Sequence, residues 1–188
     1  MDIQPVTTER LADLEQLFGA SKTVSGCWCM WFLLTNRECQ TGWGEGNRAR
    51  FGQLTADSPE PVGLLAYSGG EPVGWCATGP RSRYARALRS PLLKGRDPDD
   101  DDRIWLVPCL FVRRDARGSG VTRELLAGAV RLAAAHGAVA VQGFPLVGGV
   151  RHPTAEAYVG TEAMFAAAGF QPRGRPSARR LVMRRDLP

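Results

Sequence analysis

Apolar side chains fall into short runs of two different periods along this chain, and the switches between those periods predict its elements. Leu11, Leu14, Leu17 and Phe18 recur at helical spacing behind Thr7-Thr8-Glu9-Arg10, which predicts a helix ending near Gly19, with a short strand over residues 2–6 before it. The segment Cys27-Trp28-Cys29-Met30-Trp31-Phe32-Leu33-Leu34 is so dense in aromatic and sulfur-bearing side chains that it is either core or the lining of a pocket. Asn47, Arg48, Phe51 and Leu54, behind a glycine-rich stretch, predict a second helix within residues 36–56. Two apolar runs, 62–67 and 72–77, flank Ser68-Gly69-Gly70-Glu71 and read as an antiparallel hairpin. Residues 81–103 show no apolar period and carry Asp97, Asp99, Asp100, Asp101 and Asp102, so a mobile surface loop is expected there, either a substrate lid or a solvated connection.

The clearest unit follows. Residues 104–112 form the longest β-like run, and it leads through Arg113-Arg114-Asp115-Ala116-Arg117 into Gly118-Ser119-Gly120. A helix begins at once, because Val121, Leu125, Leu126, Ala129, Val130 and Ala133 share one face and Gly137 supplies a stop. Residues 139–144 then read as a strand, 161–168 as a short helix ended by Gly169, and 181–185 as a closing strand.

With 188 residues, 44% of them hydrophobic, the chain suits one domain over 1–188. It has no run of eighteen apolar residues and no basic-then-apolar N-terminus, so a cytoplasmic protein with no membrane partner is expected. Its five cysteines are odd in number and scattered, which favours reduced thiols over a disulfide scaffold. Cys27 and Cys29 are too close for a paired zinc unit and His136 and His152 lie far off, so no metal is expected. The net charge of +5 comes from basic residues spread along the chain rather than clustered, which argues against a nucleic-acid partner. Arg113-Arg114, Arg179-Arg180 and Arg184-Arg185 remain local attractors for an anionic ligand.

A glycine-rich turn between a strand and a helix presents backbone N–H groups at the positive end of the helix dipole, which suits a pyrophosphate. A dinucleotide fingerprint would need a third glycine where Arg123 stands, and no Gly-Lys-Ser/Thr follows as in a Walker loop. The run Leu110-Phe111-Val112, then Arg117-Gly118-Ser119-Gly120-Val121-Thr122, resembles the acetyl-CoA signature of the GNAT superfamily, with Thr122 in place of a final Gly or Ala. The ending Met164-Phe165-Ala166-Ala167-Ala168-Gly169-Phe170 is similar to that family's as well.

The resemblance implies the GNAT fold, an α/β (α+β) arrangement with a central mixed, mostly antiparallel sheet of about six to seven strands and about four flanking helices. It implies acetyl-CoA as co-substrate, with Leu110, Phe111 and Val112 along the pantetheine arm and Arg117, Gly118, Ser119, Gly120, Val121 and Thr122 around the pyrophosphate. Acyl transfer to the amine of a small-molecule acceptor is the expected activity, and a non-catalytic acyl-CoA-binding or sensor protein is the alternative. The position where many relatives carry tyrosine is Phe165, which has no proton to give, and Phe165→Tyr is expected to be tolerated. Tyr158 and Glu156 are the candidate catalytic residues, with His152 and the thiols Cys27, Cys29 and Cys109 as further candidates for the base. Cys27, Trp28, Cys29 and Trp31 follow the first helix, where many relatives line the acceptor site, and are the candidate substrate wall. A monomer or a homodimer is expected.

Overall fold

The structure is a computed structural model that describes residues 1–148 and 158–188. Its strands are β1 (Asp2–Pro5), β2 (Gly63–Ser68), β3 (Glu71–Pro80), β4 (Ile104–Val112), β5 (Ala140–Gly143), β6 (Gln171–Ser177) and β7 (Arg180–Asp186). They form one seven-stranded sheet in the order β1-β2-β3-β4-β5-β7-β6. Every neighbouring pair is antiparallel except β4 and β5, which run parallel. The described helices are α1 (Leu11–Gly19), α2 (Lys22–Cys27), α3 (Asn36–Thr41), α4 (Glu45–Asp57), α5 (Ala85–Leu88), α6 (Val121–Ala135) and α7 (Glu162–Ala167).

Each face of the sheet carries its own core. On one, the predicted stripe of α6 buries Val121, Leu125, Leu126, Ala129 and Ala133 against Leu64, Val73, Trp105, Val107 and Val141. Each fully buried leucine or valine there stabilises the fold by about 1.5–3 kcal/mol. The other face is aromatic: Phe18 of α1 and Phe51 of α4 meet the Trp75 ring edge-on at 5.9 and 5.7 Å, and Trp28 sits 5.2 Å from Phe18.

Two features of β4 position the site. Its pairing with β3 shifts register between Ala77 and Gly79, opposite the stretch of β4 that contains Pro108, a residue that cannot donate to a ladder and is tolerated at such an irregularity. The extra residue reverses the alternation of faces. Trp105 and Val107 point to the α6 side before it and Leu110 after it, while Cys109 and Phe111 turn to the aromatic side. Pairing of β4 with β5 also ends there, at Val107 opposite Gly143, so residues 108–112 have a strand neighbour only on the β3 side.

The structure departs from the sequence reading in four places. The helix expected within 36–56 is two helices, α3 and α4, parted at 42–44; α3 opens on a capping box in which Thr35 and Glu38 satisfy each other's backbone N–H. Helix α2 has too few apolar positions to show a period. Segment 81–103 is not a featureless mobile loop but a chain of short helical turns that buries Tyr84, Ala87 and Leu93 against Leu106 and Phe144. Strand β6 has seven exposed residues and no apolar alternation, which left nothing for a pattern to register. Among the described residues seven α-helices therefore flank the sheet where about four were expected, and four of them span only four to six residues. Among the described residues no helix is long and apolar enough to cross a membrane.

An ion cluster holds the 81–103 segment. Asp101 accepts from Arg81 Nε and, at 3.2 Å from both carboxylate oxygens, from Arg96 Nε, while Arg81 also donates to the Asp97 carbonyl. The Arg81 side chain is only 3% exposed, so its charge depends on that carboxylate. Asp101→Ala is expected to cost about 3 kcal/mol or more, lowering Tm by roughly 6–12 °C in a thermal melt. A shift below a degree would show that the cluster is dispensable.

Candidate functional site

The end of β4, the turn after it and the first turn of α6 enclose a cleft of about 590 Å3. Leu110, Phe111, Val112, Arg117, Gly118, Gly120, Val121 and Thr122 all line it, so eight of the nine residues expected for the cofactor converge on one space. Ser119 does not line it: its hydroxyl donates to the Ala116 carbonyl at 2.7 Å, which tightens the turn from behind. Among the described residues no strand pairs with 108–112 on the side away from β3, which leaves an edge suited to an extended ligand rich in amides.

Gly118 and Gly120 hold φ of +79° and +84°, the left-handed region that an L side chain enters at a cost. This conformation turns the chain sharply enough to present the head of α6 to the cleft. Gly120 is the N-cap of α6 and supplies no side-chain acceptor, so the first-turn N–H groups are left to a ligand at the positive end of a fifteen-residue helix. A Cβ built on either glycine meets nothing within 4 Å, so the space above the turn is open. The Arg117 guanidinium folds back onto the Val112 carbonyl at 3.2 Å, so what Arg117 offers the cleft is largely backbone. The residues present therefore fit a pyrophosphate on the turn and a pantetheine arm along β4.

The opposite wall was not read from the sequence. Gly160 and, from α7, Ala163, Met164 and Ala167 complete the cleft, together with Ala116 and Arg123. The spacing 163, 164, 167 is helical, but nothing in the sequence showed that this face, with Met164 left 41% exposed, borders the cleft.

A second cavity of about 610 Å3 adjoins the first on the aromatic face. Cys27, Cys29 and Trp31 of the expected substrate wall line it, joined by Cys109, Trp43 and Phe32. Trp28 does not; it is buried among Phe18 and Phe51 and belongs to the core. Trp28 and Cys29 are the only described non-glycine residues at positive φ, +48° and +55°; after this reversal at the end of α2 both are buried in the aromatic core, and Cys29 also lines the cavity.

Tyr158 lines both spaces. Its hydroxyl lies 3.4 Å from Ser21 Oγ and its ring packs 6.2 Å from Phe111. Glu156 and His152 lie outside the described residues. Phe165, where relatives often carry tyrosine, lines neither cavity: it is fully buried, packed against Phe170 and over Gly143, where any Cβ would fall 2.1 Å from its ring. A hydroxyl there would be enclosed rather than presented to a substrate.

The thiols are wall, not nucleophile. Burial, reinforced by Cys29, pushes the Cys27 thiol up to about 12. Cys29 is held protonated first by its 3.4 Å hydrogen bond to Cys109 and then by burial, although the Trp75 indole donates to it at 3.0 Å. At neutral pH neither is a thiolate, the form that attacks.

Solved structures of acetyltransferases share this fold. An acetyltransferase from Thermus thermophilus is 20% identical, with 99% of this chain and 96% of that one covered and a TM-score of 0.57. A ribosomal-protein-alanine N-acetyltransferase from Brucella melitensis is 17% identical, with both chains covered in full and a TM-score of 0.59. A putative acetyltransferase from Salmonella typhimurium, solved with its cofactor acetyl-CoA, is 14% identical, with 100% of this chain and 94% of that one covered and a TM-score of 0.58. Comparison with curated proteins returned no significant match. Residues 28–144 match the model of the Acetyltransferase (GNAT) family, and the chain belongs to that family.

Two substitutions follow from this geometry. Gly120→Glu is expected to weaken acetyl-CoA binding more than tenfold by calorimetry, since it sets bulk and negative charge at the turn. Gly120→Asn shares the positive-φ strain of about 1 kcal/mol and serves as the control for folding. Equal affinity in folded Gly120→Glu would mean that the turn does not cradle the pyrophosphate. Phe165→Tyr, tolerable on the sequence reading, is now expected to lower stability by about 1–3 kcal/mol through its enclosed hydroxyl. An unchanged urea midpoint would contradict that.

Proposed function

We propose that this enzyme transfers the acetyl group of acetyl-CoA to the amino group of a small-molecule acceptor, with the coenzyme in the β4–α6 cleft and the acceptor in the aromatic cavity beside it. The observation that carries the reading is that the two spaces meet at Tyr158, which lines both. In this arrangement the edge of Leu110, Phe111 and Val112 pairs with the pantetheine amides, and the backbone of 117–122 together with the head of α6 holds the pyrophosphate. Bound acetyl-CoA supplies an acetyl carbon activated as a thioester.

What the chain contributes is position and a proton. Fixing the amine within about 3–3.5 Å of the acetyl carbon turns an encounter in solution into a reaction inside one site. The new nitrogen–carbon bond forms as the carbon–sulfur bond breaks, so the nitrogen sheds one proton and the sulfur gains one. Tyr158, at the boundary of the two spaces with Ser21 behind it, is assigned to give the sulfur its proton.

Tyr158→Phe keeps the ring and its packing on Phe111 while removing the hydroxyl. We expect kcat to fall about 10²-fold, the order of a general acid's contribution, with the KM for acetyl-CoA within twofold. Release of free coenzyme A thiol across a panel of amines measures both. An unchanged kcat would remove Tyr158 from the chemistry and leave it as a packing residue.

A further inference from the structure

A third cleft, of about 460 Å3, opens at the other end of β4 and shares no lining residue with the β4–α6 cleft or the aromatic cavity. Ile104, Gln142, Val182 and Arg184 of β4, β5 and β7 line it, together with 91–97 of the arginine-clamped segment and 173–176 of edge strand β6. Ile104 precedes Leu110 by six residues, so this opening lies about 20 Å along the strand from the coenzyme cleft.

The cleft holds a polar atom that the fold leaves unmatched. Gln142 is 8% exposed, and its Oε1 is buried without a hydrogen-bond partner among the described residues. Leu106, opposite it on β4, belongs to an apolar cluster. Arg184, opposite it on β7, is a donor, but its Nε donates to Asp186 Oδ1 instead. A buried acceptor without a donor is costly, and an amide kept at such a position is accounted for by a donor that arrives with a ligand.

The lining is also basic, with six cations, Arg81, Lys94, Arg96, Arg173, Arg175 and Arg184, against two carboxylates. Arg81 and Arg96 share Asp101, and Arg173 and Arg184 share Asp186. The two lining carboxylates are engaged within their own segment: Asp97 accepts from the Asp99 N–H at 3.0 Å and Asp100 pairs with Arg103 at 3.5 Å. With these partners counted, seven cations face four carboxylates. Among the described residues neither Lys94 nor Arg175 has a carboxylate partner, and Arg175 donates to the Ala178 carbonyl at 3.1 Å. They come from separate elements, so the fold brings two unmatched cations to one opening.

We propose that this cleft is a second ligand site, for a small organic anion that carries hydroxyl groups, a sugar phosphate or a hydroxycarboxylate. Its charge lies between Lys94 and Arg175, and a hydroxyl donates to Gln142 Oε1. A volume of about 460 Å3 is far more than a bare phosphate fills and is within the range of small-metabolite sites.

Calorimetry at constant ionic strength compares glucose 6-phosphate and citrate with inorganic phosphate, glucose and spermidine. At least one hydroxylated anion is expected to bind saturably, about tenfold tighter than inorganic phosphate or more, while glucose and spermidine give no saturable heat. The tighter of the two identifies the anionic group. Gln142→Leu, which keeps the bulk of the side chain, is expected to weaken that binding about tenfold, and Lys94→Ala and Arg175→Ala, both at exposed positions, about fivefold each. The Kd for acetyl-CoA stays unchanged in all three. Because the same anions are drawn to the glycine turn, Gly120→Glu is the control and is expected to leave their affinity as it was. Should Gln142→Leu fail to fold, the two exposed variants decide. The proposal is overturned if neither hydroxylated anion binds saturably, if inorganic phosphate binds as tightly, or if the folded cleft variants bind as the wild type does. Loss of binding in Gly120→Glu overturns it too, by placing the anion in the coenzyme cleft.

Discussion

The site depends on a parting of two strands. Parallel β4 and β5 hold together from Ile104 to Val107 and then separate, and among the described residues no strand pairs with the last residues of β4 on that side. Buried backbone donors and acceptors are costly to leave unmatched, so an edge of this kind in mid-sheet is suited to an extended ligand. Pro108 stands where the strands part, and being unable to donate it loses nothing there. The same irregularity exchanges the two faces of β4, so that Leu110 lines the β4–α6 cleft and Cys109 the aromatic cavity.

Everything else sets what approaches that opening. Helix α6 is anchored by its apolar stripe and brings its head under the end of β4, while the paired positive-φ glycines strip side chains from the path. On the opposite face a compact aromatic core fixes α1 and α4, and the left-handed step at Trp28 and Cys29 divides that core from the cavity beside it. The 81–103 segment closes the sheet end of this face, held by a carboxylate shared between two arginines.

Signals confined to a few consecutive residues were legible in the sequence. The strand, turn and helix of 104–135 could be read because period, glycine spacing and the absence of a lysine all point one way, and eight residues named from that reading meet in one cleft. Tyr158 was legible as the nearest phenol, but its place between two cavities was not, since that depends on Phe111 and Ser21 from distant segments. Trp28 and Trp31 illustrate the limit. They are three residues apart with the same side chain, yet one is core and the other lines the aromatic cavity, and only the backbone conformation between them decides it. The walls supplied by α7 and by Trp43 come from tertiary approach, which no local period encodes.

Strand β6, at the border of the sheet, has a consequence for how molecules of this protein meet one another. Pro172 and Pro176 have no N–H to donate, Arg173 is ion-paired with Asp186, and the strand's pairing with β7 is irregular in two places. Such a rim gives a passing chain no continuous ladder to extend. The sheet is thereby sealed against growth on that side, and crowded copies of the protein can jostle without zipping into fibres along that border.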